Sequence, residues 1–104
     1  MDVRIIPQSE LEVMKAIWNN TEPVSSRTIT DELERTKKHK KTTTLTLLSR
    51  LVQKGVLNAE KRRRTYYTSN ITKEEYLYEA TEAFIKDKFD GDIERLKAII
   101  KEIE

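Results

Sequence analysis

The sequence contains no cysteine, only one histidine, and two residues each of glycine and proline. Without cysteine there is neither a disulfide framework nor a thiolate metal site, and one histidine cannot build a histidine-based metal site alone. Two glycines are too few for a glycine-rich phosphate loop. No cysteine nucleophile or GxSxG motif is present either, so we expect no metal, no cofactor and no enzymatic activity.

Long hydrophobic runs are also missing. No apolar stretch approaches the roughly 20 residues that span a bilayer, and the first residues lack the basic and then apolar pattern of a signal peptide. The sequence therefore predicts a cytoplasmic protein that does not bind a membrane. Apolar residues make up only 37 % of the 104 residues, which favours oligomerisation because a single chain has little material for a core.

Charge is distributed unevenly along the chain. Residues 37–64, which we call the basic segment, hold ten Lys or Arg and a single acid, Glu60, although the whole chain carries a net charge of only +2. The sequences on both sides of the basic segment are net acidic. A short helical pattern with basic runs at both ends is typical of a surface that binds a polyanion.

Apolar residues at helical spacing predict three helices in the first part of the chain. We place them at residues 9–20, 26–36 and 42–54. Ser9 and Glu12 have the spacing of a capping box at the start of the first helix, Ser25 is the expected N-cap of the second, and Gly55 is expected to end the third.

The segments between and after these helices complete a known pattern. Residues 1–7 are expected to form an extended arm and residues 37–41 a basic loop. Val24 is expected to add a short β-segment. Residues 56–60 and 65–69 read as two strands of a hairpin, with Lys61, Arg62, Arg63 and Arg64 at its tip. The sequence therefore predicts a mainly α fold with a small β-hairpin wing, a winged helix-turn-helix whose third helix is the recognition helix.

The two sides of the third helix differ in composition. Its predicted core face consists of Thr44, Leu47, Leu48 and Leu51. The other side has hydrogen-bonding residues and no acid, as expected of a surface that faces phosphates. Side chains of this kind can contact base edges, and the flanking cations can contact phosphates. The candidate DNA-binding residues are Lys40, Lys41, Thr42, Thr43, Leu45, Thr46, Ser49, Arg50, Gln53, Lys61, Arg62, Arg63 and Arg64.

The last third of the chain predicts a separate helical region. We divide the chain into a DNA-binding domain at residues 1–70 and a dimerisation region at residues 71–104, with a helix at about 73–88 and another that Asp92 caps. The first of these helices has an apolar stripe, and the apolar residues of the second recur at a heptad-like spacing. Both faces favour burial against a second copy of the chain. The candidate dimerisation residues are Leu77, Ala80, Phe84, Ile93, Leu96, Ile100 and Ile103.

Several of these stretches resemble the penicillinase-repressor family of bacterial regulators, the BlaI/MecI/CopY type. The resemblance covers roughly residues 7–84. It is carried by residues 9–18 in the first helix, 24–29 at the start of the second, 43–51 and 54–57 in and after the third, and the aromatic pair Tyr66-Tyr67.

The resemblance implies a homodimeric transcriptional repressor that binds an inverted repeat in double-stranded DNA and controls β-lactam resistance or copper export. Thr43, Thr46 and Arg50 fall on the positions of the family's recognition-helix motif. Thr44 stands where the family usually has Ile or Val, which predicts a looser core under the third helix. Leu45 stands where Lys or Arg is common, so one family contact with DNA is not expected here.

The resemblance leaves the inducing signal open. In β-lactam-responsive members a membrane-bound sensor protease cuts an Asn-Phe bond, and copper-responsive members carry a Cys-rich tail. This sequence has neither an Asn-Phe pair nor cysteine, so release by such a protease is not expected, although a sensor protease stays a possible partner. The alternative function is a winged-helix interaction module or antirepressor whose basic segment meets an acidic protein.

Overall fold

A computed structural model describes the whole chain, Met1–Glu104. It contains five α-helices, a three-stranded antiparallel sheet and one 3₁₀ turn, so the predicted winged-helix fold class is confirmed. None of the helices is both long and apolar enough to cross a bilayer. In chain order the elements are the 3₁₀ turn Val3–Ile5, α1 (Gln8–Trp18), β1 (Val24–Ser25), α2 (Ser26–Lys37), α3 (Lys41–Gln53), β2 (Leu57–Lys61), β3 (Thr65–Ser69), α4 (Lys73–Phe89) and α5 (Ile93–Ile103).

The chain divides into two compact units. The first unit, Ile5–Lys73, contains α1, α2, α3 and the sheet. The second unit combines Met1–Arg4 with Glu74–Glu104 and contains α4 and α5.

The core of the first unit lies where α1, α2 and α3 pack against one another. The side chains of this core come from the apolar stripes of the three helices. The predicted core face of the third helix is confirmed, because all four of its residues are buried. The buried residues of the three helices include Val13, Met14, Ile17, Ile29, Leu33, Thr44, Leu47, Leu48 and Leu51.

The sheet has the order β1-β3-β2 and covers one side of this core. Val24 in β1 and Ala59 in β2 both pair with Tyr67 in the central strand, which confirms the predicted β-segment at Val24. Because side chains alternate along a strand, Tyr67 points inward and is 7 % exposed, whereas Tyr66 is only half-buried. Burial raises the pKa of the Tyr67 phenol above its ordinary value.

The predicted capping box of the first helix is wrong. Helix α1 begins one residue earlier, and its N-cap is Pro7 in an extended conformation (ψ 167°) without a side-chain cap. Leu11 N donates to Pro7 O at 2.9 Å, so Ser9 already lies inside the first turn. Glu12 accepts instead from Gln8 Nε2 at 2.8 Å. Proline suits this boundary because its φ is fixed and it has no N–H that the cap must satisfy.

The N-terminal arm is also not extended as predicted. Val3–Ile5 forms a 3₁₀ turn, and Asp2 supports it because its Oδ1 accepts from Arg4 N at 2.9 Å. Arg4 also donates to Asp87 of α4 within the second unit, with Nε to Oδ2 at 3.0 Å. A short aspartate side chain that bonds the amide two residues later stabilises a turn over an extended strand.

The two basic loops are shorter than the sequence predicts, because their end residues belong to helices or to a strand. Residue Lys37 still belongs to α2 and Lys41 already belongs to α3, so only residues 38–40 connect the helices. Lys38 closes α2 in a left-handed conformation (φ 59°). At the hairpin, Lys61 is in β2 opposite Thr65, and only residues 62–64 form the wing tip.

Three predicted helix ends match the sequence. Ser25 Oγ accepts from Thr28 N at 3.1 Å at the start of α2. Gly55 has a φ of +79° just after α3, a conformation that a side chain disfavours. Asp92 Oδ1 accepts from Arg95 N at 3.0 Å at the start of α5.

Thr44 is a weak point in the core. It is 0 % exposed, and its buried Oγ1 has no hydrogen-bond partner. Since an unsatisfied buried hydroxyl costs about 1–3 kcal/mol, we expect Thr44→Val to raise the free energy of unfolding by about 1 kcal/mol, with a higher urea midpoint and an unchanged m-value.

Thr46→Val is the matched control for this prediction. Thr46 lies on the exposed side of the same helix and donates from Oγ1 to Thr42 O at 3.0 Å. We expect the control to leave the urea midpoint unchanged or slightly lowered. Equal midpoints for the two valine variants would contradict the destabilising role of the Thr44 hydroxyl.

Candidate nucleic-acid interface

The outer face of α3 is the side opposite the buried leucines. All seven of its residues are exposed, with Leu45 46 % exposed, and the helix contains no acid. Thr46 has used its hydroxyl proton on Thr42 O, so its oxygen is left as an acceptor. The residues of the outer face are Thr42, Thr43, Leu45, Thr46, Ser49, Arg50 and Gln53.

The start of α3 is open to an anion. Its N-cap, Lys40, makes no side-chain cap hydrogen bond, and the first turn holds no acid. The first amides of a helix have no intrahelical partner and carry the positive end of the helix dipole. Exposed Lys40 and Lys41 add two charges at the same place, so this end of the helix suits a phosphate group.

The fold brings the wing tip back to this end of α3. Arg64 lines one surface cleft together with Lys41 and Leu45, although Arg64 is far from the other two in sequence. The cleft is also lined by Arg27, which makes only an exposed ion pair with Asp31 at 3.6 Å. Sequence analysis did not include Arg27 among the candidate DNA-binding residues, because nothing in the sequence of α2 indicates that the wing and α3 lie beside the first turn of α2.

The wing tip presents its three arginines differently. Arg62 is paired with Glu60, with Nε to Oε1 at 3.1 Å and Nη2 to Oε2 at 3.2 Å. These hydrogen bonds raise the pKa of the Arg62 guanidinium above its ordinary value. Arg63 and Arg64 are exposed, and their side chains make no ion pair within 4.0 Å. Two of the three tip charges are thus unpaired.

The far end of α3 is held by a part-buried ion pair that sequence reasoning missed. Lys54, the C-cap of α3, donates from Nζ to Glu10 Oε1 at 2.6 Å and to Ile5 O at 2.7 Å. The Glu10 side chain is 3 % exposed and that of Lys54 31 %. The pair fixes α3 against α1 and removes Lys54 from the charges available to a ligand.

The second unit exposes much of its apolar surface. Neither α4 nor α5 has a buried residue. Ala80 and Leu96 are half-buried, and the other five predicted dimerisation residues are exposed. Those five are Leu77 at 45 %, Phe84 at 48 %, Ile93 at 50 %, Ile100 at 44 % and Ile103 at 79 %.

Comparison with known proteins identifies the family of this chain. The sequence model of the penicillinase repressor family matches residues 6–102. The chain belongs to the penicillinase repressor family. A penicillinase repressor of Bacillus licheniformis is 34 % identical over 87 residues, a stretch that covers 83 % of this chain and 67 % of that protein. The family consists of repressors and not of enzymes.

Solved structures of this family share the winged-helix unit. The solution structure of the DNA-binding domain of the repressor BlaI is similar with a TM-score of 0.60 and 40 % identity, over 68 % of this chain and 90 % of that chain. Monomeric B. licheniformis BlaI in complex with the blaP half-operator is similar with a TM-score of 0.58, at the same identity and coverage.

Proposed function

We propose that this protein is a transcriptional repressor that binds double-stranded DNA through the outer face of α3 and the wing. One observation carries the proposal: the exposed face of α3 lacks acids and is bordered by unpaired cations at both the helix start and the wing tip. The family membership supports it, because a similar structure is that of BlaI with half-operator DNA. The first unit, Ile5–Lys73, is then the DNA-binding domain.

The residues divide into two roles in this proposal. Lys40, Lys41, Lys61, Arg63 and Arg64 contact phosphates, which position the protein without reading sequence. The outer face of α3 enters the major groove, where Gln53 and Arg50 reach base edges and Leu45 meets a thymine methyl group. Thr42, Thr43, Thr46 and Ser49 bond either bases or phosphates.

We further propose that the second unit makes the protein a homodimer. Exposed isoleucine, leucine and phenylalanine side chains on two helices are best buried against the same surface of a second copy. A two-fold dimer presents two α3 helices to an inverted repeat. The proposed targets are promoters of β-lactam-resistance or related genes, in keeping with relatives that are penicillinase repressors.

Ile100→Asp tests the dimer. Ile100 is 44 % exposed in the single chain, so the change is expected to leave the fold intact but to place a charge in the proposed interface. We expect a monomer in sedimentation and, since two linked half-sites bind more tightly than one, an operator affinity lower by about 10²-fold or more. Lys101→Asp, at an exposed neighbouring position, is the control and should stay dimeric. A dimeric Ile100→Asp variant would contradict the proposed interface.

Selection of bound duplexes from a random library tests the proposed function itself. We expect enrichment of one inverted repeat, whose half-sites are spaced by about one helical turn of DNA. Binding without enrichment of any sequence would contradict a repressor that recognises an operator. An absence of binding to any duplex at low salt would favour the alternative, an interaction module for an acidic protein.

A further inference from the structure

Glu60 is the only acid in the basic segment, and its position on the wing is specific. It lies in β2 two residues before Arg62, the first residue of the wing tip. Its carboxylate accepts two hydrogen bonds from the Arg62 guanidinium, at 3.1 and 3.2 Å. The two hydrogen bonds give the pair a defined geometry, although solvent screens it because the two side chains are 54 % and 64 % exposed.

Tyr66 completes the arrangement from the neighbouring strand. Glu60 pairs directly with Tyr66 in the ladder between β2 and β3. The Arg62 guanidinium carbon lies 5.0 Å from the centroid of the Tyr66 ring, within the range of a cation–π contact. Arg62 is therefore held on two sides, by the Glu60 carboxylate of β2 and by the Tyr66 ring of β3.

A backbone hydrogen bond closes the turn at the wing tip, where Arg62 N donates to Arg64 O at 2.9 Å. Arg63 and Arg64 have no acid within ion-pair distance. Of three consecutive arginines, one is thus neutralised by the hairpin's own acid, while its two neighbours keep their full charge.

We propose that Glu60 limits the sequence-independent affinity of the wing for DNA by holding Arg62 against Tyr66 and away from the phosphates. The proposal rests on the proposed DNA-binding function. Glu60 is a positioning residue in this view, because it acts through Arg62 and contacts no DNA. The wing tip then contributes two arginine contacts to phosphates and not three.

Binding of the full chain to a random-sequence duplex, measured against salt concentration, tests this. Each phosphate contact adds about 0.9 to the slope of log K against log salt. We expect Glu60→Gln to free Arg62, steepen the slope by about 0.9 for each bound subunit and raise affinity several-fold at 0.1 M salt. We expect Arg62→Ala to change the slope less than Arg63→Ala, the matched control, whose slope should be shallower by about 0.9 for each bound subunit.

The Arg62→Ala background separates two ways in which Glu60 could act: by positioning Arg62, or by direct repulsion between its carboxylate and the phosphates. If Glu60 acts through Arg62, Glu60→Gln has little effect on affinity once Arg62 is alanine. An undiminished increase in that background would overturn the proposal, because the carboxylate would then act on the phosphates directly. Unchanged binding by Glu60→Gln, with wild-type protein binding normally, would overturn this inference alone, whereas wild-type protein that binds no duplex would overturn the proposed function.

Discussion

The double variant Arg63→Ala/Arg64→Ala is expected to bind every duplex more weakly, by a similar factor for operator and random sequence. Both side chains are exposed and unpaired at the wing tip, and Arg64 shares a cleft with Lys41 at the start of α3. Each phosphate contact adds about 0.9 to log K for a tenfold decrease in salt, so losing both arginine contacts lowers the affinity at 0.1 M salt about 60-fold for each bound subunit. Fluorescence anisotropy titrations with the operator and the random duplex measure this decrease in affinity.

Substitutions on α3 are the contrast for this prediction. Thr46→Ala or Gln53→Ala should lower the preference for the operator over random DNA by roughly 1–3 kcal/mol for each base interaction that the variant removes. The salt slope should hardly change, since neither residue carries charge. If the α3 variants, like the wing variant, lower the affinities for operator and random DNA by the same factor, the division between phosphate-binding and base-reading residues is wrong.

Lys54→Met is expected to have the largest effect on stability. It leaves the Glu10 carboxylate, 3 % exposed, without its cationic partner. Breaking a fully buried pair from one side costs about 3–5 kcal/mol, and because Lys54 is partly exposed we expect the free energy of unfolding to fall by about 2–3 kcal/mol. Urea denaturation followed by circular dichroism measures this decrease.

Two further variants show whether the loss of stability comes from breaking the Glu10–Lys54 pair. Lys15→Met removes an exposed lysine of α1 that makes no ion pair, and it should change stability by less than about 0.5 kcal/mol. The double variant Glu10→Gln/Lys54→Met removes the buried charge and should recover much of the stability. A single Lys54→Met variant as stable as Lys15→Met would show that the pair does not hold α3 in place.

Much of the fold follows from local patterns in the sequence. The apolar periodicity of α3 places Thr44 and its neighbouring leucines in the core, and the structure buries them all. Ser25 and Asp92 cap helices as their residue types predict. These features depend on residues within about one helical turn of each other, which a single sequence displays directly.

The features that sequence reasoning missed depend on distant contacts or on competing local ones. Glu10 and Lys54 are 44 residues apart, so no spacing rule connects them. Arg27 joins the cleft only because the wing folds over the start of α2. At α1 two local signals competed, and Pro7 as N-cap prevailed over the capping box that begins at Ser9.

The salt dependence of binding to duplex DNA tests the central claim most directly, namely that the basic segment contacts phosphates. We predict that log K falls linearly with log salt, with a slope of about −4.5 for each bound subunit, or about −9 for the proposed dimer, if all five cations contact phosphates. The enriched inverted repeat should bind more tightly than random DNA at each salt concentration. A flat salt profile would contradict this claim, whereas equal affinity for both duplexes throughout would contradict base reading by α3.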